Sequence, residues 1–484
     1  MTDRFSYLFK ARSVALIGAS RDANKWGFVV LKHLLNGGYQ GKVYPVNPGE
    51  DQILGLKVYT SIAALPETPD LAVIIVPPAA AAGVVRECVG KGIKAGVIIT
   101  AGFAELGGQG AQLQREIAEA ARGGGMIFVG PNCNGIMSPW EKLYIQFPAF
   151  HVPPGPVAVL AQSGNVMDSL ARQVMLHAPG CSVCIASGNE ASLHSEDYLE
   201  FMADDPHTKV ILCYIEGFKD GRRFFEVAGQ VSRKKPIIMV KVGKTQAGAR
   251  AAASHTAAIA GTDNIFDAMC KQSGVIRARS LDEMLNIGLA FLRQPLPEGR
   301  GVGIVTAGGG WGVLAADACA GLGFDVVKLP QETIGELDKL LPSWWNRGNP
   351  VDLVAGSTPD NIFKALELVL GCPAVNALVM LSIMPALRIK GFSAPLEPEA
   401  REKWGQEGVN AVVEAMEHFS QLALKYRKPV IVATEHIFAS AIEETMITHA
   451  LGQRELACYH MPHQAAEALA ALAAYGEFLR RFSV

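Results

Sequence analysis

Short apolar runs rich in Val and Ile alternate with stretches of helical periodicity from one end of the chain to the other. The runs at 13–18, 43–46, 71–76, 96–100 and 126–129 read as strands. They are almost continuously apolar, as strands covered on both faces are. The runs at 157–161, 210–215 and 301–306 repeat the pattern. Strands alternating with helical segments predict an α/β fold built from doubly wound parallel sheets. Two turn-rich joints, HVPPGP at 151–156 and QPLPEGRG at 294–301, interrupt the alternation. They divide the chain into three expected domains, 1–145, 152–293 and 299–484, with the first closing near Pro139.

The second and third units begin alike, as a strand, a turn of small residues and a helix start. The turns contain Gln162, Ser163 and Gly164 in one and Gly308, Gly309 and Gly310 in the other. A helix start offers unpaired N–H groups and the positive end of the helix dipole, which suit an anion such as phosphate. The same sequence also serves as a plain tight turn. In the first unit the loop 18–27 follows the first strand but lacks the G-x-G-x-x-G spacing, which argues against a nicotinamide hydride-transfer site. It carries Ser20, Arg21 and Lys25 and suits a phosphate-bearing nucleotide tail, the alternative being an ordinary strand-to-helix turn.

With 484 residues, 49% of them hydrophobic, the chain can bury several cores. Lys and Arg total 44 against 46 Asp and Glu, a net charge of −2, and no basic run points to nucleic acid or an acidic membrane. No stretch reaches the ~18 uncharged apolar residues of a membrane span, and the polar start does not read as a signal peptide. A soluble, cytoplasmic protein is expected. The nine cysteines are scattered through apolar runs rather than arranged as a disulfide framework. Cys181 and Cys184 have C-x-x-C spacing, but strand alternation would point them to opposite faces, so packing is the better reading than metal or redox chemistry. Gly243, Lys244 and Thr245 resemble the end of a P-loop, yet Ile238 stands where that motif needs glycine. No ATP site is recognisable in the chain.

The segment 253–263 places His255 among small residues, with room for a phosphoryl group to reach its ring. Imidazole, with a reference pKa of ~6.5, is a competent nucleophile near neutral pH. A lone histidine is also commonly a structural residue. The motifs LIGASR (16–21), VYPVNP (43–48), VGPNC (129–133), QSG (162–164), YIEG (214–217), SHT (254–256) and NPVD (349–352) occur in collinear order. Together they resemble the alpha subunit of ADP-forming acetate–CoA ligases, in the superfamily of succinyl-CoA synthetase.

That resemblance implies a Rossmann-like CoA-binding domain followed by two flavodoxin-like domains. It also implies that ADP or ATP, with Mg²⁺, is bound by ATP-grasp domains on a separate beta subunit, giving a hetero-oligomer. His255 becomes the phosphorylated histidine and Glu216 the carboxylate that orients its ring, rather than a solvated turn residue. Gln162, Ser163 and Gly164 form one phosphate-holding helix start, and Gly308, Gly309 and Gly310 the other. CoA is expected on Gly18, Ala19, Ser20, Lys25, Asn47, Pro77 and Thr100, most of them at the carboxyl ends of the expected strands. The implied reaction interconverts acyl-CoA, phosphate and ADP with a small carboxylic acid, CoA and ATP. Three departures stand out. Ala257 replaces the usual glycine after the histidine motif, Trp311 follows the third-domain turn and could line the acyl pocket, and Gly49 and Glu50 stand where a basic residue usually follows Pro48. A CoA-sensing protein without turnover is the alternative of a different class. The front half of a protein acetyltransferase fits less well, since the chain runs out at Val484 after an Ala-rich helix.

Overall fold

The fold is described from a computed structural model, which covers residues 2–245, 247–248, 263–354, 358–382, 410, 414–415, 417–434 and 457–482. His255, Ser254, Thr256 and Ala257 lie outside the described residues. The chain divides into two compact units, the first comprising 1–175 and 179–281 and the second 176–178 and 282–484. Among the described residues the first unit contains two sheets and the second one, together with the short hairpin Gln52–Ile53 and Leu56–Lys57 in the first.

The first sheet is five-stranded and parallel, and it is built from the expected runs. Its spatial order is Lys42–Val46, Ser13–Ile17, Leu71–Ile74, Ala95–Ile98, Ile127–Val129. The order reverses between Ser13–Ile17 and Leu71–Ile74, and at such a switch point an open α/β sheet leaves a crevice at its carboxyl edge. The helix Trp26–Asn36 covers this sheet by burying Gly27, Val30, Leu31 and Leu34, the i, i+3, i+4, i+7 stripe of an inward face. Its start must come very close to the preceding turn. Gly18 has φ +92° and a Cβ there would meet the Ile75 carbonyl oxygen at 2.1 Å, while a Cβ on Gly27 would meet the Gly18 carbonyl oxygen at 2.0 Å. Both positions therefore require glycine.

The second sheet has seven strands in the order Ile276–Arg277, Ile237–Lys241, Val210–Ile215, Pro154–Ala161, Cys181–Ala186, Gly135–Ser138, Leu143–Gln146. The last two form an antiparallel hairpin whose first strand pairs antiparallel with Cys181–Ala186. The chain passes from the first sheet to the second between Val129 and Gly135, because 135–146 finds its backbone partners on the edge of the second sheet. Helix Gly221–Ser232 covers this sheet, burying Phe224, Val227, Ala228 and Val231, and the Asp220 carboxylate caps it by accepting the Arg222 and Arg223 N–H groups.

The strand pairing opposite Cys181 is irregular, with register shifts between Pro154, Val157 and Ala158. Cys181 and Cys184 are both buried and reduced, and burial, reinforced by its neighbour, pushes the Cys184 thiol well above its ordinary pKa.

The second unit holds a parallel sheet in the order Asp325–Val326, Gly301–Thr306, Ala377–Leu381, Val430–Ala433, Cys458–Tyr459, with Val351–Asp352 also paired to Gly301–Thr306. Helix Leu281–Arg293, expected to close the 152–293 domain, belongs mainly to this unit, where Ala290 packs with Val302, Ile304 and Leu469. Among the described residues no helix is long and apolar enough to cross a membrane.

Gly27→Ala should force the helix start off the Gly18 turn. Overpacking against backbone typically costs ~1–3 kcal/mol, so thermal unfolding of this variant is expected well below that of the parent chain.

Candidate functional site

A cavity of about 500 Å³ opens at the carboxyl edges of both sheets of the first unit. From the first sheet come Ile75, Val76, Ile99, Thr100 and Ala101, each just beyond a strand end. From the second come Gln162, Ser163, Gly164 and Asn165, with Gly188 and Asn189 beside them. Asn132, Cys133 and Asn134, in the connection between the sheets, also line it, and Trp26 and Phe147 form an aromatic wall with ring centroids 4.2 Å apart. The crossover topology gathers these residues, since every parallel strand delivers its following loop to the same edge.

Ser163 and Gly164 stand at the start of helix Gly164–His177, whose first N–H groups have no partner within the helix. A Cβ at Gly164 would lie 2.4 Å from the Asn134 side chain, so glycine allows the helix start to press against the cavity wall. Gln162 differs from its neighbours. Its N–H donates to the Tyr214 carbonyl (3.1 Å), and its side-chain Oε1 accepts the Glu216 and Gly217 N–H groups at 2.6 and 3.0 Å. Its Nε2 donates to the Gly217 carbonyl at 2.8 Å. Glu216 itself is buried, only 4% exposed, and is not a solvated turn carboxylate.

The residues expected to hold CoA cluster around the switch point of the first sheet. The Gly18 N–H donates to the Val46 carbonyl, and the Asn47 Nδ2 donates to the Ala19 carbonyl at 2.6 Å, tying two strand ends together. The Ser20 hydroxyl accepts the Asp22 N–H at 3.1 Å. Lys25 and Pro77 occupy the N-cap positions of helices Trp26–Asn36 and Pro78–Lys91. The Thr100 hydroxyl donates to the Val76 carbonyl at 2.7 Å and lines the cavity. Glu50, the acidic replacement noted in the sequence, pairs with the Arg21 guanidinium at 2.5 Å.

In the second unit, Gly308 is the N-cap of helix Gly309–Gly321, and its N–H donates to the Thr306 hydroxyl at 3.1 Å. Gly309 abuts the Asp352 carboxylate, 3.0 Å from where a Cβ would sit, and Gly310 faces open space. Trp311 is half-buried and packs on the apolar layer that includes Val302, Ile304 and Ala315.

Sequence reasoning missed several polar groups that the fold brings to the cavity. Asn134 lines it, and its Nδ2 donates to the Asp168 Oδ2 at 2.7 Å. Asp168 is buried, and its other oxygen has no hydrogen-bond partner. Burial raises its carboxyl to about 6, against the opposing pull of Asn134 and Arg172. The signal was present, because Asp168 sits on the inward stripe with Met167, Ala171 and Val174. Asn189 donates to the Glu105 carboxylate at 2.6 Å, joining the loops of the two sheets. Burial works to raise the Glu105 carboxyl, but Asn189 and the Gly102 and Phe103 N–H groups together hold it below its ordinary value. The cluster also includes the buried Glu190, which accepts the Ser187 and Ser195 hydroxyls at 2.8 and 2.6 Å.

Comparison with known proteins places these features in context. Residues 12–139 match the CoA binding domain family, 154–291 the succinyl-CoA ligase like flavodoxin domain, and 302–415 the Ligase-CoA domain. The alpha subunit of ADP-forming acetate–CoA ligase II from Pyrococcus furiosus is 43% identical over 380 residues, covering 78% of this chain and 82% of that one. The alpha subunit of enzyme I from the same organism is 37% identical over 469 residues, 96% of either chain. A solved structure of a dinucleotide forming acetyl-coenzyme A synthetase 1 from Ca. Korarchaeum cryptofilum, in complex with phosphate and ADP, superposes with a TM-score of 0.84. It is 33% identical and covers 100% of both chains.

The Asp168 carboxyl gives the site a pH signature. Its folded pKa lies above the unfolded ~3.9, so its contribution to stability is full below that value and is lost as pH rises through about 6. Asp168→Asn keeps an acceptor for Asn134 and cannot ionise. Its melting temperature at about pH 8 should exceed the parent's by ~2–4 °C, and the difference should shrink at about pH 5.

Proposed function

The chain belongs to the ADP-forming acetate–CoA ligase family, and from that premise we propose that it is the CoA-binding and phosphohistidine-bearing alpha subunit of an ADP-forming acyl-CoA synthetase. The observation that carries this reading is the cavity itself. The helix start at Ser163 and Gly164 opens into it, and the buried Glu216 is tied to that turn through Gln162. The crevice around Gly18, Asn47 and Thr100 opens at the same edge, where CoA can bring its thioester alongside bound phosphate.

In this reading phosphate, held by the N–H groups and hydroxyl of 163–164, attacks the thioester carbon, forming acyl phosphate and releasing the CoA thiolate. His255 then takes the phosphoryl group and frees the carboxylic acid, and the Glu216 carboxylate orients and balances the charged ring. Transfer from the phosphohistidine to ADP completes ATP synthesis, and the reverse sequence makes acyl-CoA. Splitting one exchange into successive displacements is what a covalent carrier achieves. The glycine-rich helix start at 308–310 is assigned to phosphate as well.

We assign ADP and its Mg²⁺ to an ATP-grasp beta subunit, so the working enzyme is a cytoplasmic hetero-oligomer. The acid is small, and the aromatic pair Trp26 and Phe147 lines the same cavity. A CoA sensor without turnover would have little use for a buried carboxylate fixed beside a phosphate-type helix start, which favours the catalytic reading.

The reconstituted pair, given labelled ATP and Mg²⁺, should acquire an acid-labile phosphoryl group on His255. His255→Asn should abolish both label and turnover; persistence of either at the parent level would refute the assignment.

The Arg21–Glu50 pair yields a second expectation. Glu50→Gln releases the guanidinium for a CoA phosphate and should tighten CoA binding by ~2–5-fold, the range of a part-exposed ion pair. Calorimetry at low and high salt checks this, and the gain should fade as salt screens it.

A further inference from the structure

We propose that Gln162 is a positioning residue that fixes the backbone of Glu216 and Gly217, rather than a ligand of phosphate. The proposal rests on the reading of Glu216 as the partner of His255.

Three strands of the second sheet end side by side. Ala161 pairs with Ala186 on one side and with Tyr214 on the other. The next residues along the chain are therefore neighbours at the carboxyl edge, with Gln162 between the loop 187–190 and the loop 216–217. Gln162 is 8% exposed, and its amide makes three hydrogen bonds to the Glu216–Gly217 backbone, two accepted and one donated. This pattern dictates which way the amide points. Turned over, it would face NH₂ against two N–H donors and oxygen against a carbonyl.

The opposite loop reinforces the same orientation. Glu190 is 3% exposed and has φ +52°, a conformation unusual for a residue with a side chain. Burial raises its carboxyl, while the hydrogen bonds from the Ser195 and Ser187 hydroxyls and the nearby Gln162 amide pull the other way. A carboxylate beside Gln162 favours the NH₂ group on its side, leaving Oε1 for the Glu216 and Gly217 N–H groups. The Gln162 backbone N–H is also occupied, by the Tyr214 carbonyl. Gln162 lines the cavity together with Ser163 and Gly164, but its Nε2 is turned to the Gly217 carbonyl, and the helix-start N–H groups there belong to the residues that follow it. Gln162 thus couples the phosphate-type turn to the residue assigned to orient the carrier.

The test uses the complete alpha–beta enzyme. Gln162→Leu removes the three side-chain hydrogen bonds with little change of volume, and Gln162→Glu places an acceptor where Nε2 donates. Both variants should retain near-parental KM for phosphate and CoA while kcat drops by ~10–100-fold, the usual range for groups that orient a reacting side chain. In Gln162→Glu, burial and the neighbouring Glu190 and Glu216 favour the neutral form of the introduced carboxyl, with His194 beside Glu190 opposing them. The protonated group can donate as the amide did. Its activity relative to the parent should therefore climb as pH falls from about 8 to about 6, and Gln162→Leu should show no such recovery.

A raised KM for phosphate with unchanged kcat would make Gln162 a phosphate ligand and overturn the proposal. So would a Gln162→Glu enzyme, folded by its melting curve, whose relative activity is flat with pH. If Gln162→Leu fails to fold, the pH recovery of Gln162→Glu decides alone. Absence of phosphoryl label on His255 in the parent enzyme would sink the proposed function instead. Parent-level labelling kinetics in both variants would sink only the role of Gln162.

Discussion

A parallel sheet sends every strand out at the same edge, and in the first unit this single constraint assembles the chemistry. Ile17 pairs with Val46 and with Ile74, so Gly18, Asn47 and Ile75 emerge as neighbours. Ala161 pairs with Ala186 and Tyr214, so Gln162, Ser187 and Ile215 do the same in the second sheet. In both sheets the middle strand of the three is where the winding direction reverses, which opens the crevice. The side-chain hydrogen bonds that follow, Asn47 to Ala19 and Gln162 to Gly217, are short bridges between loops that the register has already placed together.

Close backbone approach is the second requirement, and it depends on the first. Loops crowded at one edge leave no room for some side chains. Gly18 lies against the Ile75 carbonyl, Gly27 against Gly18, and Gly164 against Asn134. The same crowding removes water from carboxylates, and what replaces the water decides their charge. Glu105 gains Asn189 and two backbone N–H groups and is held low. Asp168 gains one amide hydrogen bond, keeps an oxygen without a partner, and is pushed up to about 6. Glu190 receives two hydroxyls and still moves upward, because its burial is more complete. Desolvation and hydrogen bonding compete at each site, and the balance between depth of burial and donors within reach sets each outcome.

Much of the fold was legible before any coordinates. The apolar runs at 13–18, 71–76 and 210–215 became buried parallel strands, because near-continuous hydrophobicity is the local mark of a strand covered on both faces. Thr100, Ser163 and Gly164 line the cavity, since a residue just beyond a strand end in this class of fold has few other places to go. His255 was singled out by its neighbours in the chain and lies outside the described residues, so its role rests on chemistry and kinship rather than on contacts.

Other features took shape only in three dimensions. The hairpin Gly135–Gln146 reads from sequence as the end of the first domain, yet its backbone groups pair along the edge of the second sheet. Helix Leu281–Arg293 reads as the close of the second domain and buries Ala290 in the core of the second unit. Gln162 reads as a phosphate contact, and its amide faces inward to Glu216 and Gly217. Arg21 reads as free for a ligand and is met by Glu50 across the next strand–loop junction. The physical reason is common to all four. Periodicity, turn chemistry and glycine tolerance are set by residues adjacent in the chain, so the sequence by itself determined the elements and the positions of their ends. Which edge a hairpin joins, which core a helix covers and which partner a buried amide or guanidinium meets depend on groups tens of residues away. Those choices were made by the tertiary structure, through burial and hydrogen-bond satisfaction that no local pattern contains.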